Sequence, residues 1–266
     1  MNDTSVETLT IGDELETRTI AVLRRPGGSP GLLWLGGYRS DMRGTKAEAV
    51  DRYAEANGLA FTRLDYSGHG ASGGDFAEGT ISRWLAEAEA VFATTTGPQI
   101  VIGSSMGGWL ALLLAAAERR RGSRRVAGLV LIAPAVDMTK VLMWDAMSRA
   151  VRKTLRDVGI YHTANAYGGE PMPITWRLVE DGEKHLFGDS LIEPGCPVHI
   201  LQGMEDKEVP WRIAAGLVER IASDDAVLTL IKDGDHRLSR PEDLDRLTAT
   251  IASLIAATKD DKHGED

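Results

Sequence analysis

Gly103-Ser104-Ser105-Met106-Gly107 places a serine between the apolar run Ile100-Val101-Ile102 and the helix-forming run Trp109 to Leu114. A strand that turns sharply into a helix lifts a serine oxygen into the open, and small flanking glycines permit the strained turn. A hydroxyl at neutral pH is a weak nucleophile until a base takes its proton, and the base in turn needs an acid to fix its tautomer. Ser105 is therefore the candidate nucleophile, and a histidine and a carboxylate must be found for it. The pattern recurs in Gly70-Ala71-Ser72-Gly73-Gly74. There it lies in a glycine-rich loop with no apolar run immediately before and no helix immediately after, so Ser72 reads as a loop serine.

Six histidines compete for the role of base: His69, His162, His185, His199, His236 and His263. His236 closes Asp233-Gly234-Asp235-His236, directly after the last apolar strand pattern, and is the candidate. His69, in Ser67-Gly68-His69-Gly70, is the serious competitor; the others fall in a strand, an insertion or the tail. Asp206, in Gln202-Gly203-Met204-Glu205-Asp206, follows another strand pattern and completes the chain order serine, acid, histidine. Glu205 next to it, and Asp137 after an earlier strand, are the alternative acids. Stabilising a tetrahedral oxyanion needs preset donors. The Met106 N–H, at the helix start, and the Tyr38 N–H, in the turn Gly36-Gly37-Tyr38-Arg39, are the expected pair.

These residues need a scaffold that brings distant loops together. Eight short apolar runs read as strands, near Thr8–Ile11, Arg18–Leu23, Gly31–Leu35, Ala60–Leu64, Gln99–Ile102, Val126–Ile132, Val198–Gln202 and Val227–Ile231. Helical patterns over Thr45–Ala56, Ile81–Ala93 and Ser105–Arg120 alternate with them. That alternation predicts an α/β fold with a mostly parallel eight-stranded sheet flanked by helices, whose loops after the strands hold the chemistry. Between Asp137 and Pro197 no strand is evident; one amphipathic helix is expected over Met138–Val158, an irregular piece over Ile160–Pro173 and a shorter helix over Ile174–His185. The expected organisation is a core over 1–137 and 197–258, a small helical lid over 138–196 and a charged tail over 259–266. Met143, Trp144, Met147 and Trp176 in the lid are the candidate substrate contacts, pointing to an apolar acyl group; the same residues would also serve to pack the lid onto the body.

Composition bounds the rest. A formal charge of −9 argues against a nucleic-acid surface, and the run Arg119, Arg120, Arg121, Arg124 and Arg125 suits the negative pole of a helix end. The single cysteine, Cys196, excludes an intramolecular disulfide and reads as a small buried hydrophobe. No stretch of about 18 apolar residues exists to span a membrane, and the polar, acidic MNDTSVETLT has no basic-then-apolar leader pattern. A cytoplasmic location is expected, with no metal or organic cofactor and no nucleic-acid partner.

The segments Leu64 to Gly73, Gly103 to Gly107, Gly203 to Pro210 and His236 together resemble the successive signatures of α/β hydrolases over nearly the whole chain. The first of them accounts for the second Gly-x-Ser-x-Gly match, since in that family the loop is structural. A narrower resemblance rests on Leu35-Gly36-Gly37-Tyr38-Arg39-Ser40-Asp41-Met42, Gly44-Thr45-Lys46-Ala47 and Gly234 to Ser239. It is to the branch of human alpha/beta-hydrolase-domain protein ten, which acts as palmitoyl-protein thioesterases and acyl-glucuronide deacylases. The resemblance implies a serine hydrolase of esters or thioesters working through an acyl-enzyme on Ser105. Acyl transfer to an alcohol or peroxide by the same three residues, or a ligand receptor on the same fold, are the rival readings; covalent labelling separates the last from the others.

Overall fold

A computed structural model of the chain describes residues 6–12, 17–163, 171–223 and 225–260. One eight-stranded sheet forms its centre: β1 (Glu7–Ile11), β2 (Arg18–Arg25), β3 (Gly28–Leu35), β4 (Leu59–Leu64), β5 (Gln99–Ser104), β6 (Val126–Ile132), β9 (Val198–Gly203) and β10 (Ala226–Ile231). The strand order is β1-β2-β4-β3-β5-β6-β9-β10. β2 runs antiparallel to β1 and β4, and all other pairs are parallel.

The side chains of successive residues part to opposite faces, as a pleated strand requires. Leu33, Leu35, Val101, Leu129 and Leu131 join a cluster with Trp84, Trp109, Leu110 and Leu217. These partners come from α2 (Ile81–Ala93), α3 (Met106–Arg120) and α6 (Trp211–Arg220). Leu32, Trp34, Ile100, Ile102, Val130 and Ile132 point the other way, onto Val50, Ala54, Leu247 and Ile251 of α1 (Thr45–Ala56) and α7 (Pro241–Asp260). Both faces being covered, the central strands are continuous apolar runs without polar alternation. Cys196 belongs to the first cluster, and burial pushes its thiol up to about 12.

The segment over 138–196 differs from the expectation. The single helix expected over Met138–Val158 is two pieces, a wide helical turn at Thr139–Trp144 and α4 (Arg149–Val158). Residues 145–147 turn between them, and Ser148, with extended backbone, starts the second: its hydroxyl accepts from the Val151 N–H at 3.3 Å as a cap. Two short strands also occur where none was expected, β7 (Ile160–Thr163) paired antiparallel with β8 (Met172–Thr175). At four residues each, one of them containing Pro173, they lack the length and alternation that mark a strand in sequence. The expected helix over Ile174–His185 begins later, as α5 (Trp176–Gly182), because Ile174 and Thr175 belong to β8. Residues 164–170 of the expected irregular piece lie outside the described residues. Of the expected tail, Lys259 and Asp260 end α7, while 261–266 lie outside the described residues as well. Among the described residues, no helix is long and apolar enough to cross a membrane.

Candidate active site

Ser105 sits at the corner between β5 and α3 with φ 55° and ψ −118°, a conformation that L residues occupy only under constraint. The constraint is steric. A Cβ on Gly107 would lie 2.0 Å from the Leu35 carbonyl oxygen, and one on Gly103 would lie 2.3 Å from the Gly107 oxygen. Only glycines let α3 approach β3 and β5 this closely. The Ser105 N–H is held by the Ile132 carbonyl at 2.9 Å, tying the corner to β6.

Asp206 and His236 arrive on neighbouring loops, since β9 and β10 pair in parallel. A Cβ on Gly203 would meet the Gly234 oxygen at 2.3 Å, so these loops also touch backbone to backbone. The Asp206 carboxylate is fully buried and satisfied on both oxygens. One accepts the N–H groups of Glu208 (2.9 Å) and Val209 (2.8 Å). The other accepts from Gln202 Nε2 at 3.1 Å and stands 2.8 Å from His236 Nδ1. A carboxylate facing Nδ1 puts the proton there and leaves Nε2 as an acceptor. Ser105 Oγ lies 3.1 Å from that Nε2. The three side chains thus form one hydrogen-bonded chain.

The competitors are engaged elsewhere. Asp137, with φ 56°, accepts the N–H groups of Phe187 and Gly188 at 2.9 Å each and pins the turn after α5; burial raises its pKa. Glu205 is exposed, and its N–H bonds the Gly234 carbonyl. His185 meets Ser82 Oγ at 2.6 Å, His199 meets Asp225 at 3.2 Å, and His162 is exposed on β7. His263 lies outside the described residues.

Ser72 Oγ accepts the Ala21 N–H at 2.8 Å and donates to the Asp65 carbonyl at 2.6 Å, stitching its loop to β2. Replacing Ser72 by alanine leaves the Ala21 N–H unpaired and should cost about 1–3 kcal/mol of stability. Thermal unfolding should report that loss, while ester hydrolysis per folded molecule stays at the wild-type level.

The turn after β3 passes over Ser105: a Cβ on Gly37 would lie 3.3 Å from Ser105 Cβ. Two N–H groups of that turn are already taken, Ser40 by the Gly37 carbonyl at 3.1 Å and Arg39 by His69 Nε2 at 3.1 Å. The Tyr38 N–H precedes them. Across the corner, the Met106 N–H is the first of α3 and by position has no intrahelical carbonyl.

Ser105 and His236 open onto a cavity of about 1080 Å³. Its apolar wall includes Met138, Leu142, Met143, Met147, Val151 and Ile174. Among the described residues, Trp144 and Trp176 are not part of that wall, which corrects their reading as substrate contacts. Their rings pack on each other at 5.3 Å, with the Arg156 guanidinium 4.8 Å from one and 5.4 Å from the other. They belong to a small core with Leu155, Ile174 and Val179, onto which Met143 and Met147 also pack from the cavity side. Helical spacing placed Met143, Trp144 and Met147 on one expected helix and Trp176 on another, and could not say which face of either turned inward.

Two polar residues of the cavity wall were not singled out from sequence. Glu208 brings a carboxylate oxygen 3.8 Å from His236 Nε2, and Lys46 Nζ donates to the Arg237 carbonyl. Burial lowers the Lys46 amine to about 8. Glu208 directly follows the Asp206 loop in sequence, which was the available signal; Lys46 is 191 residues from its partner and had none.

A family model described as serine aminopeptidase, S33, matches residues 41–167. Over 242 residues the chain is 36% identical to the mouse protein named palmitoyl-protein thioesterase ABHD10, mitochondrial, covering 90% of this chain and 80% of that one. A crystal structure from Agrobacterium vitis S4 is similar with a TM-score of 0.91 at 46% identity, covering 94% of this chain and 98% of that chain. The structure of mouse alpha/beta hydrolase domain-containing protein 10 gives 0.85 at 34% identity, covering 95% and 99%. The thioesterases of mouse, cattle and human are named as mitochondrial, which overturns the cytoplasmic location expected from the N-terminal composition. A targeting signal is an address read by receptors and leaves no mark on the charge or core of the folded body, so composition was a poor guide.

Proposed function

The chain belongs to the α/β-hydrolase family that includes the ABHD10 thioesterases, and from that premise we propose an acyl-enzyme mechanism on Ser105 with His236 as base and Asp206 as the orienting acid. It is a serine hydrolase acting on ester or thioester bonds. The observation that carries the mechanism is the chain of hydrogen bonds from Ser105 Oγ to His236 at 3.1 Å and from His236 to Asp206 at 2.8 Å. It ends at a cavity whose wall carries the methionines Met138, Met143, Met147 and Met172 together with Leu142, Val151 and Ile174.

In this reading Ser105 Oγ attacks the substrate carbonyl carbon as its proton passes to His236 Nε2. The N–H groups of Met106 and Tyr38 hold the oxyanion, each contributing on the order of 3 kcal/mol to the transition state. The imidazolium is stabilised by Asp206 and returns the proton to the leaving alkoxide or thiolate. Water then attacks the acyl-Ser105 carbonyl, giving its proton to the same nitrogen, and the acid leaves with Ser105 restored.

The segment 138–196 serves as the cap. Its methionines favour an apolar acyl chain, because an unbranched thioether side chain repacks around differing lengths at little cost. Hydrolysis of acetyl, butyryl, octanoyl and palmitoyl thioesters and their matching oxygen esters tests this. The expected result is kcat/KM rising with chain length; a preference for acetyl with palmitoyl unturned would overturn the acyl-chain reading.

A further inference from the structure

His69 is the histidine that competes with His236 in the sequence, and the mechanism above leaves it unused. It is buried, with an exposure of 3%, beneath the turn that crosses Ser105. Both ring nitrogens are engaged. Nε2 lies 3.1 Å from the Arg39 backbone nitrogen, and Nδ1 lies 3.2 Å from the Ser67 carbonyl oxygen. A backbone N–H can only donate, so Nε2 must be the bare, accepting nitrogen and the ring proton must sit on Nδ1, donating to Ser67. The ring is therefore neutral with one defined tautomer. Burial agrees, lowering its pKa to about 4.

The residue it holds is unusual. Arg39 has φ 59°, in the left-handed region that an arginine occupies at a cost. Its neighbour Tyr38 carries the N–H read above as an oxyanion donor. The peptide plane that contains the Arg39 N–H also contains the Tyr38 carbonyl, so fixing it fixes the ψ of Tyr38 and limits how the turn can rotate over Ser105. The imidazole is itself wedged, edge-to-face against Tyr66, Phe76 and Trp84 with ring centroids 5.6, 5.0 and 5.2 Å away.

We propose that His69 is a positioning residue for hydrolysis: through its bond to the Arg39 N–H it holds the strained turn that aims the Tyr38 N–H at the oxyanion. This rests on the reading of Tyr38 as an oxyanion donor. His69 touches no reacting atom and moves no proton; its contribution is the position of a donor whose value depends on distance.

The test uses His69→Leu, His69→Gln and His69→Asn in the full chain, with folding checked by thermal melting, on an oxygen ester and its thionoester. A thionoester builds negative charge on sulfur, a weak acceptor with a longer bond to carbon, so it gains little from donors set for oxygen. Wild type should hydrolyse the oxygen ester much faster than the thionoester, beyond the ratio for uncatalysed hydrolysis. His69→Leu should lower kcat for the oxygen ester about a hundredfold, with KM within twofold, while the thionoester rate hardly changes. Gln carries its acceptor at the reach of Nε2 and should restore most of the rate; Asn, one bond shorter, should not. If His69→Leu fails to fold, the Gln and Asn pair makes the same comparison. Equal losses on both esters, or no loss, would overturn the role of His69. A wild-type enzyme without any preference for the oxygen ester would instead sink the oxyanion reading on which it rests.

Discussion

Replacing Ser105 by alanine is expected to lower kcat by about 10⁶, leaving only the residual rate that oxyanion donors and binding supply. The substitution removes one buried-side oxygen and a 3.1 Å hydrogen bond to His236, and leaves the strained corner in place, since the glycines and not the serine make room for it. Stability should therefore stay close to that of wild type, since one hydrogen bond is lost and the backbone strain is untouched. Intact mass after treatment with a fluorophosphonate probe is the direct measurement. One adduct on wild type and on Ser72→Ala, with none on Ser105→Ala, is the expected pattern. An adduct that persists on Ser105→Ala would move the nucleophile elsewhere, and an unlabelled, well-folded wild type would favour the receptor reading.

The second largest effect is expected from Asp206→Asn, a loss of about 10⁴ in kcat. The reasoning is specific to this loop. One oxygen of Asp206 accepts two backbone N–H groups, from Glu208 and Val209, and the asparagine must keep its carbonyl there. Its NH₂ group then faces His236 Nδ1, which must become the acceptor, so the ring proton shifts to Nε2. That nitrogen can no longer take the proton of Ser105. The same NH₂ also meets the donating Gln202 Nε2, leaving a buried donor unpaired at about 1–3 kcal/mol. Steady-state kinetics and thermal melting should thus fall together for Asp206→Asn. Glu205→Gln, on an exposed side chain, should leave both unchanged. The opposite ranking of the two variants would make Glu205 the acid.

The eight sheet strands were legible because each is a short apolar run, β-branched in most cases, bounded by glycine, proline or polar residues. The corner at Ser105 was legible for a related reason, as a strand pattern running straight into a helix pattern leaves one place for a turn. Asp206 and His236 followed from their positions just past strands. What failed lay between residues 138 and 196. The chain turns at 145–148, where periodicity carried one helix straight through, and β7 and β8 are too short to announce themselves. Trp144 shares a helical pattern with Met143 and Met147, and Trp176 opens a helix of its own, yet a local pattern cannot tell a wall facing a cavity from one facing a neighbouring ring.

The sequence by itself determined the alternation of strands and helices, the sharp corner at Ser105 and the order in which the loops carrying Ser105, Asp206 and His236 follow one another, because each is encoded within a few neighbouring residues. Only the tertiary structure decided which carboxylate faces His236, which side chains line the cavity, and that His69 reaches the Arg39 N–H from 30 positions away. Those choices depend on hydrogen-bond distances between loops far apart in the chain, and such distances exist only once the parallel strands have set the loops side by side.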